Sequence, residues 1–323
     1  MVTATNFKRK VLFLRFSSLG DVIFANYTAM RIKEKNPDFH LTWMVDSLYA
    51  DIVRAQPWVD SVKIWDRKKT KNRGYIAILR QVRHEGFDIL VDMHASDRTS
   101  LFSLLCGIPV RYGCKKRFPF THTHFLFDDL MDTSLSIGTC KRYLYAAKTY
   151  NEAVRIFTPD GSRAIGLAIG ASYPIKRWTV NRWIEFCQFA VAKKNYTVLL
   201  GNGADEVEMA ENIESAVPSE YIINKVGCLS ITDTIMLIDR LDLIVSGDTG
   251  LMHAARALGK PVVGLFGPNF PGVGAEYLDS LGEKYVCKCP HVGCERQTCS
   301  RQCLNDIAAE DVFSGVEGLL SAG

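Results

Sequence analysis

The chain has no apolar stretch of the about 20 residues that a bilayer-spanning helix needs. It also has no secretory signal, because Met1–Lys10 is polar and basic and the short apolar run after it is interrupted by Arg15. It is therefore expected to stay in the cytoplasm, where its 10 cysteines are reduced unless a metal holds them. Neither sign of charge prevails, with 39 Lys and Arg against 35 Asp and Glu and a net charge of +4. That balance argues against a nucleic-acid binder and leaves only a weak attraction to anionic surfaces. No Walker A loop is present, and no G-x-G-x-x-G follows a strand, so a P-loop enzyme and a dehydrogenase are both disfavoured. D-x-D is absent as well. A metal-clamped diphosphate is then not expected, and the charge of any leaving diphosphate falls to the protein's own groups.

What is present is a soluble, globular composition, with 47% hydrophobic and 23% charged residues in a chain of 323, enough for two domains. Val11–Phe16 reads as a buried strand, and the helix after it carries Val22, Ala25, Ala29 and Ile32 on one face. Leu41–Val45, Val62–Trp65, Ile89–Asp92 and Val110–Tyr112 continue the strands. Thr158-Pro159-Asp160-Gly161-Ser162 reads as a linker, dividing residues 1–157 from 158–323. The second half repeats the plan, with strands at Ala164–Ile169, Thr197–Leu200, Tyr221–Ile223, Leu243–Val245 and Pro261–Phe266. Its helices are expected at Val180–Lys193, Asp205–Ala216, Thr232–Arg240 and Gly250–Leu258. The alternation predicts an α/β protein of two doubly wound, Rossmann-like domains facing across a cleft at the carboxyl ends of both sheets.

Four constellations fall at strand ends. Ser17-Ser18-Leu19-Gly20-Asp21 joins the first strand to its helix, where Asp21 serves either as a helix cap or as a general base. Gly170-Ala171-Ser172 and Lys176-Arg177-Trp178 follow the first strand of the second half, with Lys176 suited to neutralise phosphate. Gly201-Asn202-Gly203-Ala204-Asp205-Glu206 offers an acidic residue either to a ribose or to the helix N-terminus. The most informative is Ser246-Gly247-Asp248-Thr249-Gly250-Leu251-Met252-His253, where an apolar strand turns into a short helix. Free N–H groups and the positive end of a helix dipole there attract a phosphate.

The ordered set F-S-S-L-G-D at 16–21, K-R-W at 176–178, S-G-D-T-G-L-M-H-A-A at 246–255 and G-L-F-G-P at 264–268 resembles glycosyltransferase family 9. Its best-known members are the ADP-heptose:lipopolysaccharide heptosyltransferases, and the likeness covers nearly the whole chain. The resemblance implies a GT-B architecture, with an acceptor-binding first domain and a donor-binding second one. It also implies inverting transfer without a catalytic cofactor. Asp21 would take the proton of the acceptor hydroxyl, and Lys176 with the backbone of Thr249, Gly250 and Leu251 would hold the diphosphate of the donor, ADP-heptose. Ser172 would add a phosphate contact, Glu206 or its neighbour Asp205 would reach the ribose, and Asp248 and His253 fall at donor-site positions. Ser18, Gly20 and His94 are assigned to the acceptor side.

Two basic clusters in the first half, Arg67–Arg73 and Lys115, Lys116 and Arg117 beside Phe118 and Phe120, read first as solvated faces. The sharper reading gives them a lipid-linked oligosaccharide acceptor and the inner face of the inner membrane as partners. Cys287, Cys289, Cys294, Cys299 and Cys303, within the Cys-rich segment 287–303, form no standard zinc-finger spacing, yet five thiols so close favour a structural Zn²⁺ or iron. The alternative is a set of reduced thiols. A different acceptor, a protein hydroxyl included, a nucleotide-sugar epimerase and a non-catalytic binder are the competing functions.

Overall fold

The computed structural model describes residues 9–66, 72–113, 124–125, 144–145, 158, 162–267, 283–286, 288, 294 and 304–321. The chain separates into two compact units, Met1–Ser136 with Tyr143–Ala147, and Ile137–Arg142 with Lys148–Gly323. Among the described residues, no helix is long and apolar enough to cross a membrane.

The first unit is built on β1 (Arg9–Leu14), β2 (Phe39–Val45), β3 (Ser61–Ile64), β4 (Ile89–Asp92), β5 (Val110–Gly113) and β6 (His124–Phe125), ordered β3-β2-β1-β4-β5-β6. All neighbours run parallel. Val11, Leu12, Phe13 and Leu14 are fully buried, as a central strand covered on both faces requires. The crossovers are α1 (Leu19–Lys35), α2 (Ala50–Arg54), α3 (Asn72–Glu85) and α4 (Asp97–Leu105). Leu79 and Val82 of α3 and Phe102 of α4 close the core over Leu12, Leu14 and Leu90.

The second unit holds β7 (Ala164–Ala168), β8 (Tyr196–Leu200), β9 (Ile222–Asn224), β10 (Leu243–Gly247), β11 (Val262–Leu265) and β12 (Glu283–Val286), ordered β12-β11-β10-β7-β8-β9 and parallel throughout. Its helices are α5 (Val180–Ala192), α6 (Ala204–Ala216), α7 (Ile231–Ile238), α8 (Gly250–Ala257) and α9 (Ala309–Ser321). Counted within each unit, both sheets have the order 3-2-1-4-5-6, the doubly wound arrangement expected from the alternation.

Each sheet has one strand more than the five read from apolar runs. β6 is two residues long, and β12 reads Glu-Lys-Tyr-Val, too polar to stand out. Helix α9 is not among the helices expected above, although Val312, Phe313, Val316, Leu319 and Leu320 share helical spacing around Gly315 and Gly318. It is held by packing: Phe313 meets Phe186 and Phe189 of α5 at ring-centroid distances of 5.5 and 5.9 Å. Burial of one aromatic face outweighs the weak propensity of the glycines.

Candidate active site

In an open α/β sheet, ligands bind outside the carboxyl ends of the strands where the order reverses. That point lies between β1 and β4 in the first unit and between β7 and β10 in the second.

At the first switch point, Ser18 is the N-cap of α1, and Asp21, three residues on, turns its carboxylate back to it. Asp21 Oδ2 accepts from the Ser18 amide at 3.1 Å and from its hydroxyl at 3.0 Å. It also pairs with the guanidinium of Arg15, which enters from the loop after β1. Asp21 thus does cap its helix, yet its side chain is still 48% exposed at the carboxyl edge of the sheet. Tyr49, in the loop after β2, faces the same region. Burial, and then the charges of Asp46 and Asp21, push its phenol above the ordinary value.

Beyond β4 the buried Asp92 accepts from the amides of His94 and Ala95, both at 3.0 Å. This bond set holds Ala95 at a φ of 51°, a left-handed conformation that costs a residue with a Cβ about 1–3 kcal/mol. His94 stands edge-on to Phe16 with centroids 5.3 Å apart. The switch point therefore brings together Ser18, Gly20, Asp21 and the turn that carries His94. Lys115, Lys116, Arg117 and residues 67–71 lie outside the described residues.

The second switch point is denser. Lys176 Nζ donates to Asp248 Oδ2 at 2.7 Å, and His253 Nε2 lies 3.3 Å from Asp248 Oδ1. Both oxygens of one carboxylate are thus engaged by cation-capable groups, with side-chain exposures of 16–20%. Burial alone would raise the Asp248 carboxyl. Hydrogen bonds from His253 and Lys176, together with their charge, outweigh it and hold the group well below the usual carboxylate range. Lys176 ends a short 3-10 turn, Pro174–Lys176, pinned by buried Ile175 on one side and Trp178 on the other. Trp178 Nε1 donates to the Ile307 carbonyl at 3.1 Å, and its ring meets Trp183 edge-on at 4.9 Å.

Gly247 explains how this turn comes so close. A Cβ there would lie 2.8 Å from the Lys176 carbonyl oxygen. Thr249 caps α8 by accepting from the Met252 amide, and its hydroxyl lies 3.0 Å from that of the fully buried Ser246. The N-terminal amides of α8, starting at Gly250 and Leu251, therefore stand beside the Lys176–Asp248–His253 set, where positive potential gathers. Ser246 belongs to the turn motif, but nothing local shows its contact with Thr249.

The two acids at the start of α6 separate. Asp205 pairs with Arg177, whose hydrogen bond chiefly holds that carboxyl low. Glu206 Oε2 accepts from the amides of Asn202 at 2.6 Å and Gly203 at 2.9 Å, which leaves Oε1 turned toward Gly170. Any Cβ at Gly170 would collide with that carboxylate. Ser172 is exposed two residues on. A lysine, a dipole-bearing helix start and a carboxylate beside two glycines form a cradle suited to a nucleotide diphosphate and its ribose.

Of the clustered cysteines, only Cys294 lies within the described residues, and among those residues no three metal-ligating side chains gather. Cys106 and Cys187 are buried thiols in the two cores, and burial pushes Cys187 up to about 12.

A family model described as "Glycosyltransferase family 9 (heptosyltransferase)" matches residues 121–305. The chain is 34% identical over 300 residues to a lipopolysaccharide heptosyltransferase 2 of Salmonella typhimurium, covering 81% of this chain and 84% of that one. Its fold is similar to the crystal structure of a family 9 glycosyl transferase from Veillonella parvula, with a TM-score of 0.79 at 19% identity over 99% of both chains. It is also similar to the E. coli ADP-heptose LPS heptosyltransferase II, with a TM-score of 0.76 at 19% identity over 97% and 99% of the two chains.

Proposed function

Because the chain belongs to glycosyltransferase family 9 and is a glycosyltransferase, we propose that it moves a heptose from ADP-heptose to a hydroxyl of the lipopolysaccharide inner core. The observation that carries this reading is the set Lys176–Asp248–His253 beside the N-terminus of α8, at the switch point of the second sheet. Residues 158–323 bind the donor and residues 1–157 the acceptor.

The transfer is a single inverting displacement. The acceptor oxygen attacks the anomeric carbon and gives its proton to Asp21, while the bond from that carbon to the diphosphate oxygen breaks. ADP departs with the electron pair, and Lys176 and the amides of Thr249, Gly250 and Leu251 meet its growing charge. Asp248 anchors Lys176 and His253 so that neither has to reorganise as the charge develops. Glu206 Oε1 accepts from a ribose hydroxyl, and Ser172 donates to a phosphate oxygen. Lys176 and the helix start supply the positive charge, so turnover is proposed to need no metal.

The test is a turnover assay with ADP-heptose and a deacylated inner-core oligosaccharide, run with and without EDTA. ADP release that needs both substrates and survives EDTA supports the reading. Donor consumption without acceptor makes the protein an epimerase or hydrolase instead. Loss of turnover in EDTA with an unchanged melting midpoint removes the metal-free mechanism.

Two finer proposals fall on segments that lie mostly outside the described residues. The basic clusters at 67–73 and 115–117 hold the acids of the lipid-linked acceptor at a membrane surface, which co-sedimentation with anionic vesicles tests. The cysteines between 287 and 303 staple their segment with one Zn²⁺ or iron, which elemental analysis of the purified protein tests.

A further inference from the structure

We infer that Arg15 is a positioning residue that locks Asp21 so that Oδ1, and not Oδ2, receives the proton of the acceptor hydroxyl. The inference rests on Asp21 being the base, as proposed above. Its own content is which atom acts and what holds that atom in place.

The hydrogen bonding of Asp21 is lopsided. The Ser18 amide, the Ser18 hydroxyl and the Arg15 guanidinium all converge on Oδ2. The two Ser18 hydrogen bonds fill the two in-plane lone pairs of Oδ2, and Arg15 adds an ion pair at the same oxygen. Among the described residues Oδ1 receives none, although the side chain is 48% exposed. A base needs a lone pair within hydrogen-bond reach of the proton it takes. Only Oδ1 has one to offer.

Arg15 is suited to fix this asymmetry. Its Nη1 donates to the Met93 carbonyl at 2.7 Å, in the loop after β4, while Nη2 engages Asp21. The guanidinium fork thus bridges the two strands that flank the switch point. The backbone beneath it is anchored as well. The indole of fully buried Trp43 donates to the Arg15 carbonyl at 3.0 Å, and the Arg15 amide donates to Met44 at 3.4 Å. Arg15 itself is 15% exposed at the side chain, and its Nε is buried without an acceptor. A site chosen only for the comfort of the arginine would satisfy that group. Here the fork is instead aimed at Asp21 and Met93, leaving Nε unpaired. Lysine cannot replace it fully, because a point charge cannot hold both acceptors in one plane.

The test uses kcat and KM for ADP-heptose and the oligosaccharide, with ADP-induced thermal stabilisation as the fold and donor-site control. Arg15→Met is expected to lower kcat by about a hundredfold, the scale of a misplaced reacting group, with both KM values unchanged. Arg15→Lys is expected to recover part of that loss, and it replaces the methionine variant should that one fail to fold. Asp21→Asn separates the two ideas. Asp21→Asn with wild-type turnover removes the base itself and this inference with it. If Asp21→Asn is crippled, adding Arg15→Met is expected to cost nothing more, since Arg15 acts only through the carboxylate. Wild-type kcat in Arg15→Met overturns the inference while leaving the base in place. A raised acceptor KM with kcat intact overturns it too, making Arg15 an acceptor-binding residue.

Discussion

The two sheets share one strand order, but their switch points are furnished differently. In the first unit a single exposed carboxylate, Asp21, is gripped on one oxygen by Arg15 and Ser18. In the second a half-buried carboxylate, Asp248, is gripped on both oxygens by Lys176 and His253. An oxygen without a donor can take a proton; a carboxylate held well below the usual range by Lys176 and His253 is a poor proton acceptor. On the reading proposed above, one architecture supplies a base in one half and an electrostatic clamp in the other. The difference lies in how the partners are shared between the two oxygens of each carboxylate, not in the backbone that presents it. Glycine follows the same division. Gly170, Gly201 and Gly247 in the second unit each admit a group that a Cβ would displace.

The contrast breaks most sharply at Asp21. Asp21→Asn keeps the cap geometry but removes the basic oxygen, and kcat is expected to fall by about 10²–10⁴-fold while ADP still raises the melting midpoint. Next in size, Lys176→Met takes away the cation facing the leaving group. A fall of about 10²–10³-fold in kcat, together with weaker ADP stabilisation, would distinguish it from the base variant, which leaves ADP binding intact. Gly170→Ala is a stability variant. The new methyl meets the Glu206 carboxylate, and chemical denaturation should show a loss of about 1–3 kcal/mol.

The smallest effect is one of pH. The folded Asp248 carboxyl is held below its unfolded value by His253 and Lys176. Its contribution to stability is therefore complete above about pH 4, the unfolded carboxylate range, and is lost as pH falls through the lower folded value. The gap in melting midpoint between wild type and Asp248→Asn should be constant from neutral pH down to about pH 4 and narrow below it. A gap that closes already between pH 7 and 5 would place its source in another group.

Much of this was legible in the chain because parallel strands buried on both faces read as continuous apolar runs, Ile89–Asp92 being an example whose bounds match. Short or polar edge strands such as β6 and β12 offer no such run. The site divides in the same way. Local geometry, such as Ser18 with Asp21, follows from spacing. Tertiary pairing does not: Lys176 and Asp248 meet across 72 residues of sequence. Arg15 read only as a break in an apolar run, since nothing local shows that its fork spans Met93 and Asp21. The sequence puts Glu206 ahead of its neighbour Asp205, and the pairing of Asp205 with Arg177 is what separates the two in the structure.

The second switch point is proposed above as a site for an adenosine diphosphate. The most direct test is a thermal-shift comparison of ADP, UDP, GDP, CMP and NAD on the wild-type protein and on Lys176→Met. A ligand at about 100 times its Kd adds about 2.7 kcal/mol to the folded state, a rise of several degrees. ADP alone is expected to raise the wild-type midpoint, and the rise is expected to shrink in Lys176→Met. Equal stabilisation by UDP or GDP, or an ADP shift untouched by the loss of Lys176, would contradict that proposal.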